Sequence, residues 1–307
     1  MQACRELKGV IPVVQTPLNA DGSIDHAGQA RLIDFLVDAG VGGFWTLGTN
    51  SEDMNLTFAK RLEAAETLTK TNRGRLPLVL GSGLFCMDDI RAFMDETRDL
   101  DFDAYHVMPY HPLLGLDGME KFYRDIADYA PKPLWMYTSA NWCRAFPPEF
   151  YGKLKNHPNI AGVKFSTSRT TDLLAASGLA EEGFQVITAV AKQFIMSLSI
   201  GMAASTTSVA GALPEPLIEI YQFYLAGRHK QALAAQRRLN TFLSRMPKRP
   251  AAWNFLPAAE EKYILSLRGI CQPYVSSYYT PLNVEEQAQV RAALDEFGYL
   301  NHAHQAA

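Results

Sequence analysis

Short apolar runs alternate along this chain with longer stretches in which apolar residues recur every three or four positions. The short runs are typical of buried β-strands, and the longer stretches are typical of amphipathic helices. Eight runs follow one another at nearly regular intervals, at residues 9–17, 42–49, 77–83, 104–110, 133–139, 160–166, 184–190 and 203–209. Eight strands, each followed by a helix, are the pattern of a closed parallel barrel. The sequence therefore predicts an α/β fold, a (β/α)8 TIM barrel.

The chain beyond the eighth run is helical in pattern. Three amphipathic stretches occur there, at residues 229–246, 254–269 and 284–298. Three helices cannot form a ninth barrel unit, so we predict a barrel domain over residues 1–227 and a C-terminal three-helix domain over residues 228–307. An open doubly wound sheet shares the alternation, but no GxGxxG follows the first strand and eight units suit closure better.

The composition narrows the range of partners. The chain has 307 residues, of which 48% are hydrophobic and 20% charged, as in soluble globular proteins. Its formal net charge of -3 gives no basic surface for nucleic acid or lipid. The four cysteines are far apart without a CxxC, and the N-terminus has no apolar signal segment. We expect a cytoplasmic protein that acts on small molecules, without a nucleic-acid or membrane partner.

Barrel enzymes carry their active sites at the C-terminal ends of the strands. Here those ends present an amine, phenols, hydroxyls and an imidazole, namely Thr49, Tyr110, His111, Tyr137, Lys164 and Ser166. Glu52 and Asp53 are the acids nearest to them in sequence, and Glu52 is most simply the charge that orients the loop after strand 2. His111 is a candidate for lining the site.

Lys164 interrupts the apolar run "IAGVKFSTS". A lysine at a strand end commonly reaches solvent. Flanked by Val163 and Phe165 on a central strand, however, this amine is predicted to point into the barrel mouth, where desolvation lowers its pKa. An amine that is partly neutral near pH 7 can attack a carbonyl carbon and form a Schiff base.

Tyr137 and Thr49 are candidates for the proton transfers that such chemistry requires. Alone, Tyr137 would be a barrel-filling aromatic residue, and Thr49 a turn hydroxyl. One strand away from Lys164, the Tyr137 phenol could move the proton during carbinolamine formation and dehydration. Thr49 could relay that proton or bind a substrate carboxylate.

No metal or cofactor motif is present in the sequence. The seven histidines are scattered, the predicted rim lacks HxH, HxxE and DxD patterns, and no GxSxG occurs. We therefore expect neither a metal nor a cofactor. A magnesium ion held mainly by a phosphorylated substrate stays an alternative.

Four motifs lie in order at the predicted strand ends. They are "LGTNSE" (47–52), "VMPYH" (107–111), "MYTS" (136–139) and "GVKFS" (162–166). They resemble, in turn, the G-T-T-G-E, V-x-P-Y-Y, Y-N-x-P and G-[IV]-K segments of the dihydrodipicolinate synthase/N-acetylneuraminate lyase family. This is a family of pyruvate-dependent class I aldolases, and the similarity extends over nearly the whole chain.

The resemblance implies a barrel with a helical C-terminal domain, usually tetrameric and without metal. It also implies that Lys164 forms the Schiff base, that Tyr137 transfers protons, and that Thr49 belongs to the relay and the carboxylate pocket. The positions expected to contact substrate are Asn50, Ser51, Tyr110, His111, Trp142, Ser166 and Thr206.

The sequence departs from the family pattern at four of these positions. Asn50 replaces a hydroxyl residue, and Ser51 replaces a glycine, so either Ser51 adopts a glycine-like backbone conformation or the loop has shifted. His111 stands where the synthase has a second tyrosine. Trp142 stands where the synthase has the arginine that binds the carboxylate of its second substrate, and Arg144 lies two residues later.

These observations predict a carbon–carbon or carbon–oxygen lyase. It would form a Schiff base with pyruvate or a related 2-oxo acid, and then make or break a carbon–carbon bond to an aldehyde or dehydrate the bound species. The alternatives are dihydrodipicolinate synthase itself, a hydratase-aldolase of aromatic pyruvate derivatives, and a non-catalytic barrel that binds a keto acid. The expected assembly is a homo-oligomer, either a tetramer or a dimer.

Overall fold

The computed structural model describes residues 4–109, 113–138, 146–249 and 258–300. One sheet has the strand order β1-β8-β7-β6-β5-β4-β3-β2, with parallel neighbours throughout. The strands are β1 Gly9–Pro12, β2 Phe44–Thr46, β3 Leu78–Gly81, β4 Ala104–Val107, β5 Leu134–Thr138, β6 Ile160–Phe165, β7 Gln185–Thr188 and β8 Ala204–Thr207. A parallel bridge between Val13 and Trp45 joins the two ends of this order. The predicted (β/α)8 barrel is confirmed.

Helices connect the strands and continue beyond them. They are α1 His26–Asp38, α2 Phe58–Asn72, α3 Met87–Thr97, α4 Leu116–Tyr129, α5 Pro148–Gly152, α6 Thr170–Ser177, α7 Phe194–Ser199, α8 Val209–Ala212, α9 Glu215–Leu225, α10 His229–Arg245, α11 Ala258–Leu267 and α12 Val284–Phe297. The start of α1 is fixed by the Asp25 side chain, which accepts a hydrogen bond from the Gly28 N–H at 2.8 Å. Gly40, which follows α1, has a φ of +83°, a conformation that glycine adopts without strain.

Each run predicted as a strand contains one, but the strands are shorter than the runs. Strand β1 ends at Pro12, for example, although Val13, Val14 and Gln15 are also buried. The apolar run continues because the rim of the barrel is itself covered by loops and helices. Burial therefore extends past the last ladder hydrogen bond.

Aromatic rings fill the inside of the barrel. Trp45 stacks on His106 with ring centroids 4.3 Å apart, and it meets Trp135 and Tyr137 edge to face at 6.0 Å. Glycine makes room for these rings, since a Cβ on Gly162 would lie 2.8 Å from the Trp135 ring. The side chains inside the barrel are consequently large and rigid, and almost none of their surface reaches solvent.

The C-terminal helices pack on helices of the barrel and on one another. Helix α10 packs on α7 and α9, α12 packs on α10 and α11, and α11 packs on α8. The boundary at residues 227 and 228 stays a prediction. None of the helices within the described ranges has both the length and the apolar character needed to cross a membrane.

Candidate active site

Lys164 is buried at the centre of the barrel, between two aromatic rings. Only 5% of its surface is exposed. Its Nζ lies 4.2 Å from the centre of the Tyr137 ring and 5.0 Å from that of Trp45. Burial lowers the pKa of Lys164 to about 7, an effect that the negative charge of Asp53 partly offsets. A substantial fraction of this amine is therefore neutral and nucleophilic near pH 7.

Tyr137 and Thr49 lie beside this amine. Tyr137 pairs with Lys164 in the β5–β6 register. Its hydroxyl is 3.3 Å from Thr49 Oγ1, a distance at which either group can donate. The structure thus brings together the three residues for which the sequence predicts chemistry, on β5, on β6 and in the loop after β2.

The loop after β2 forms a short 3₁₀ turn over Thr49–Ser51. Ser51 ties this turn to the chain after β1, because its hydroxyl donates to the Val14 carbonyl oxygen at 2.6 Å and accepts from the Gly48 N–H at 3.3 Å. The left-handed conformations fall on Leu47, with a φ of 49°, and on Glu52, with a φ of 62°. A glycine-like conformation at Ser51, one of two alternatives considered from the sequence, is therefore wrong.

Glu52 links this loop to residues in the C-terminal part of the chain. Its Oε1 lies 2.5 Å from Lys262 Nζ, and both side chains are at most 1% exposed. Its other carboxylate oxygen accepts from the Ser276 N–H at 2.5 Å, and Lys262 also donates to the Tyr274 carbonyl at 2.8 Å. Glu52 orients the loop, as the sequence suggested, through a buried ion pair that the sequence did not reveal.

Asp53 is the second acid of the loop. It pairs with Arg61 at 3.7 Å, where both side chains are buried. Arg61 also donates to the backbone carbonyls of Asp53 at 2.7 Å and Gly83 at 2.9 Å. Each acid of the loop thus has a buried cation beside it, which limits the negative charge near Lys164.

The remaining predicted residues differ in burial and in hydrogen bonding, and some lie outside the described residues. Asn50 is buried, and its Nδ2 donates to Glu261 Oε2 at 2.5 Å. Thr206 is buried on β8, and its Oγ1 has no hydrogen-bond partner within the described ranges. Ser166 directly follows β6 and is half-buried. Tyr110, His111 and Trp142 lie outside the described residues, as does Arg144.

Sequence reasoning missed two residues on the floor of the site, Trp45 and His106. Burial lowers the pKa of His106 to about 3, so the ring is neutral, and its Nε2 lies 2.9 Å from the Thr46 carbonyl oxygen. A signal existed for His106, because it interrupts an apolar run on β4 as Lys164 does on β6. In the sequence, Trp45 has the pattern of an ordinary core residue. Only the closed barrel shows that its ring lies beside the Lys164 amine.

Comparison with known proteins extends these observations. The model of the dihydrodipicolinate synthetase family matches residues 6–297. The 4-hydroxy-tetrahydrodipicolinate synthase of Neisseria gonorrhoeae is 27% identical over 296 residues, which cover 96% of this chain and 100% of the relative. That of Acidiphilium cryptum is 26% identical over 301 residues, covering 95% and 99%.

Solved structures share the fold. The prophage protein YagE of E. coli K12, a member of the dihydrodipicolinic acid synthase family solved in complex with pyruvate, superposes with a TM-score of 0.88 at 20% identity, covering 96% of this chain and 100% of YagE. The N-acetylneuraminate lyase of Mycoplasma synoviae gives a TM-score of 0.84 at 19% identity, covering 94% and 98%.

The family match confirms the resemblance drawn from the four motifs. It also bears out the expected enzyme class, a Schiff-base-forming lyase. The match begins before β1 and ends at the last residue of α12, so it takes in the barrel and the C-terminal helices alike. The protein therefore belongs to the dihydrodipicolinate synthetase family.

Proposed function

We propose that this protein is a lyase that joins Lys164 to pyruvate or a related 2-oxo acid as a Schiff base, and then makes or breaks a carbon–carbon bond to an aldehyde. One observation carries the proposal. The Lys164 amine, whose pKa burial lowers to about 7, lies against a phenol that is itself within hydrogen-bond distance of Thr49.

The reaction begins with attack of the neutral Nζ on the C2 carbonyl carbon. The Tyr137 phenol gives a proton to the carbonyl oxygen and takes one from the attacking nitrogen, which leaves a neutral carbinolamine, and it then protonates the hydroxyl that departs as water. The resulting iminium accepts the electron pair released when a C3–H bond or, in the cleavage direction, the C3–C4 bond breaks. The proton of C3, or that of the C4 hydroxyl, returns to Tyr137, and the product is an enamine. In the synthetic direction the enamine carbon attacks the aldehyde, and water then releases the product from Lys164.

Thr49 and the backbone N–H groups beside it are the proposed site for the keto-acid carboxylate. The Ser51 N–H donates to the Gly48 carbonyl at 2.8 Å, and the Gly48 N–H donates to Ser51 Oγ. The N–H groups of Thr49 and Asn50, in contrast, donate no hydrogen bond to the described part of the chain. With the Thr49 hydroxyl they form a set of donors suited to a carboxylate.

Replacement of Thr49 with valine will weaken pyruvate capture. Valine keeps the shape of threonine and removes the hydroxyl, so we expect kcat/KM for pyruvate to fall about ten- to a hundredfold, the loss of one hydrogen bond to a charged group. Steady-state kinetics with pyruvate as the varied substrate provide the measurement. Thr69→Val on α2, where the lost hydroxyl bonds the Ala65 carbonyl, is the matched control. Unchanged constants in Thr49→Val would place the carboxylate elsewhere.

The second substrate is proposed to be a neutral or aromatic aldehyde. Curated relatives carry the name 4-hydroxy-tetrahydrodipicolinate synthase, which keeps that synthase as the second candidate function. In this sequence, however, Trp142 stands in the place of the carboxylate-binding arginine. A tryptophan cannot donate two hydrogen bonds to a carboxylate, and an unpaired carboxylate in a closed site costs about 1–3 kcal/mol or more.

A coupled assay separates the two candidate substrates. We expect aspartate semialdehyde to be turned over poorly with pyruvate, and some members of a panel of neutral and aromatic aldehydes to be turned over well. A kcat/KM for the semialdehyde above about 10⁴ M⁻¹s⁻¹, an ordinary value for a natural substrate, would restore the synthase. Net hydration in that panel would identify the hydratase-aldolase.

Borohydride trapping tests the proposed function itself. Incubation with pyruvate and borohydride should add the mass of one reduced pyruvyl group to the peptide that contains Lys164. Labelling without turnover of any aldehyde would identify a keto-acid-binding barrel instead. Absence of the label would refute Schiff-base formation with pyruvate.

We further propose a cytoplasmic homo-oligomer, a tetramer or a dimer. The family resemblance supports the assembly, and the spacing of the cysteines supports a reducing compartment. Sedimentation equilibrium at micromolar concentration distinguishes these states from a monomer.

A further inference from the structure

Helix α11 directs two consecutive charged side chains at the loop that carries Thr49. They are Glu261, 2% exposed, and Lys262, which has no exposed surface. Lys262 pairs with Glu52, whereas Glu261 accepts a hydrogen bond from Asn50 Nδ2 at 2.5 Å. The Gln15 amide, which follows β1 at the same end of the barrel, donates to the same Glu261 oxygen.

None of the cations within the described ranges pairs with Glu261. Lys262 is engaged by Glu52, and Arg61 is engaged by Asp53. The other titratable groups that face Glu261 are the carboxyl of Glu260 on its own helix and the phenol of Tyr279, whose pKa is raised by burial and then by Glu52, Asp53 and Glu261. The described groups around this carboxyl are therefore acidic, neutral or already paired.

Some oxygens around Glu261 have no donor in the described part of the chain. Three buried oxygens, Gln15 Oε1, Asn50 Oδ1 and Glu261 Oε1, have no hydrogen-bond partner among the described residues. A proton on Glu261 supplies a donor to this cluster, and rotation of either amide brings an acceptor to it. Burial raises the pKa of Glu261 to about 8, against the opposing effect of hydrogen bonds from Ser208, Asn50 and Gln15. Geometry and desolvation both favour the neutral acid at pH 7.

We propose that Glu261 is a positioning residue for keto-acid binding: as a neutral acid it fixes the Asn50 amide, and with it the turn that carries Thr49, and its ionisation weakens capture of the keto acid. The proposal rests on the proposed function, in which Lys164 reacts with a 2-oxo acid. Loss of the proton leaves a negative charge on Glu261. This charge lies next to Asn50, which belongs to the loop proposed to bind the substrate carboxylate. The two carboxylates repel each other because little solvent screens their charges.

The pH dependence of kcat/KM for pyruvate provides the test, measured from pH 6 to 10. In the wild type we expect a rise through pH 7, as Lys164 loses its proton, and a fall through pH 8, as Glu261 loses its own. Glu261→Gln cannot ionise, so it should keep the rise and lose the fall. At pH 9 its kcat/KM should exceed that of the wild type by about tenfold. The reason is that only about a tenth of the wild-type molecules still hold a proton on Glu261, one pH unit above its pKa.

Two further variants separate positioning from structural support. Glu261→Ala removes the contact with Asn50, and we expect kcat/KM at pH 7 to fall about ten- to a hundredfold, with partial rescue by glutamine. Glu260→Gln is the matched control, since Glu260 neighbours Glu261 without bonding the loop. Its kcat/KM should still fall at high pH, but the fall should begin at a lower pH. The Glu260 charge raises the pKa of Glu261, and the variant lacks that charge.

The outcomes distinguish this proposal from the proposed function. If pyruvate and borohydride label the wild type but Glu261→Gln falls through pH 8 as the wild type does, the positioning role is refuted and the Schiff-base function stands. A wild type that takes no label refutes the function, and the positioning role with it. Thermal melts accompany each variant, and if the alanine variant does not fold, the pH profile of the glutamine variant decides the question alone.

Discussion

Replacing Lys164 with methionine will abolish turnover and, at pH 7, make the protein more stable. Activity is lost because no other described side chain presents an amine at the Tyr137 and Trp45 rings. Stability is gained because methionine fills the same space without a charge to desolvate. Burial lowers the pKa of Lys164 from 10.5 to about 7, which corresponds to a penalty of order 4 kcal/mol at pH 7.

The sign of the pH dependence follows from that lowered pKa. Between pH 7 and 10.5 the unfolded chain holds the Lys164 proton and the folded chain does not, so this residue makes stability rise with pH. The penalty is complete below pH 7 and disappears towards pH 10.5. Urea unfolding should therefore show a large advantage of Lys164→Met at pH 6.5 that shrinks at pH 9.5.

The exposed Lys121 on α4 offers a matched control, with 74% of its side chain accessible. Lys121→Met should keep its turnover and change the free energy of unfolding by less than about 1 kcal/mol. A borohydride label that persists in Lys164→Met would place the nucleophile elsewhere, and a variant less stable than the wild type at pH 6.5 would contradict the desolvation penalty assigned to Lys164.

Tyr137→Phe will lower kcat by about 10²–10⁴-fold, the usual contribution of a general acid or base. The ring stays, so the packing against Trp45 and Lys164 is preserved, and only the hydroxyl 3.3 Å from Thr49 is lost. The melting temperature should change little. Trapping of the imine should slow in parallel with kcat, because both carbinolamine formation and dehydration need the proton.

Tyr105→Phe is the control for removing a buried phenol. Tyr105 lies on β4, and its hydroxyl contacts Thr97 at 2.8 Å and donates to the Met94 carbonyl at 3.1 Å, outside the barrel interior. It should lose about 1 kcal/mol of stability and keep its kcat. A loss below tenfold in Tyr137→Phe would return that residue to a space-filling role.

The fold and the position of the buried amine were predictable because their signals are local. A strand run of alternating or continuous apolar residues is read within ten positions, and Lys164 stands out within one such run. Its proximity to Tyr137 and Thr49 followed from one general property of parallel barrels, the meeting of all strand ends at one rim. Those three residues lie together in the structure.

The supports of the loop after β2 were not predictable in the same way. Asn50 and Glu261 are 211 residues apart, and Glu52 and Ser276 are 224 apart. On α11, Glu261 and Lys262 read as an ordinary charged surface of an amphipathic helix. Only the docking of that helix on α8 shows that both side chains are buried.

Glu261 and Lys262, which α11 places against the loop after β2, also bear on how the protein folds during its synthesis. During synthesis, β2 and the turn that begins at Thr49 leave the ribosome more than two hundred residues before their partners on α11. Contacts that span such distances form late. The proposed keto-acid pocket is therefore unfinished in the nascent barrel, and we expect the chain to become a competent lyase only when its C-terminal helices have been translated and docked.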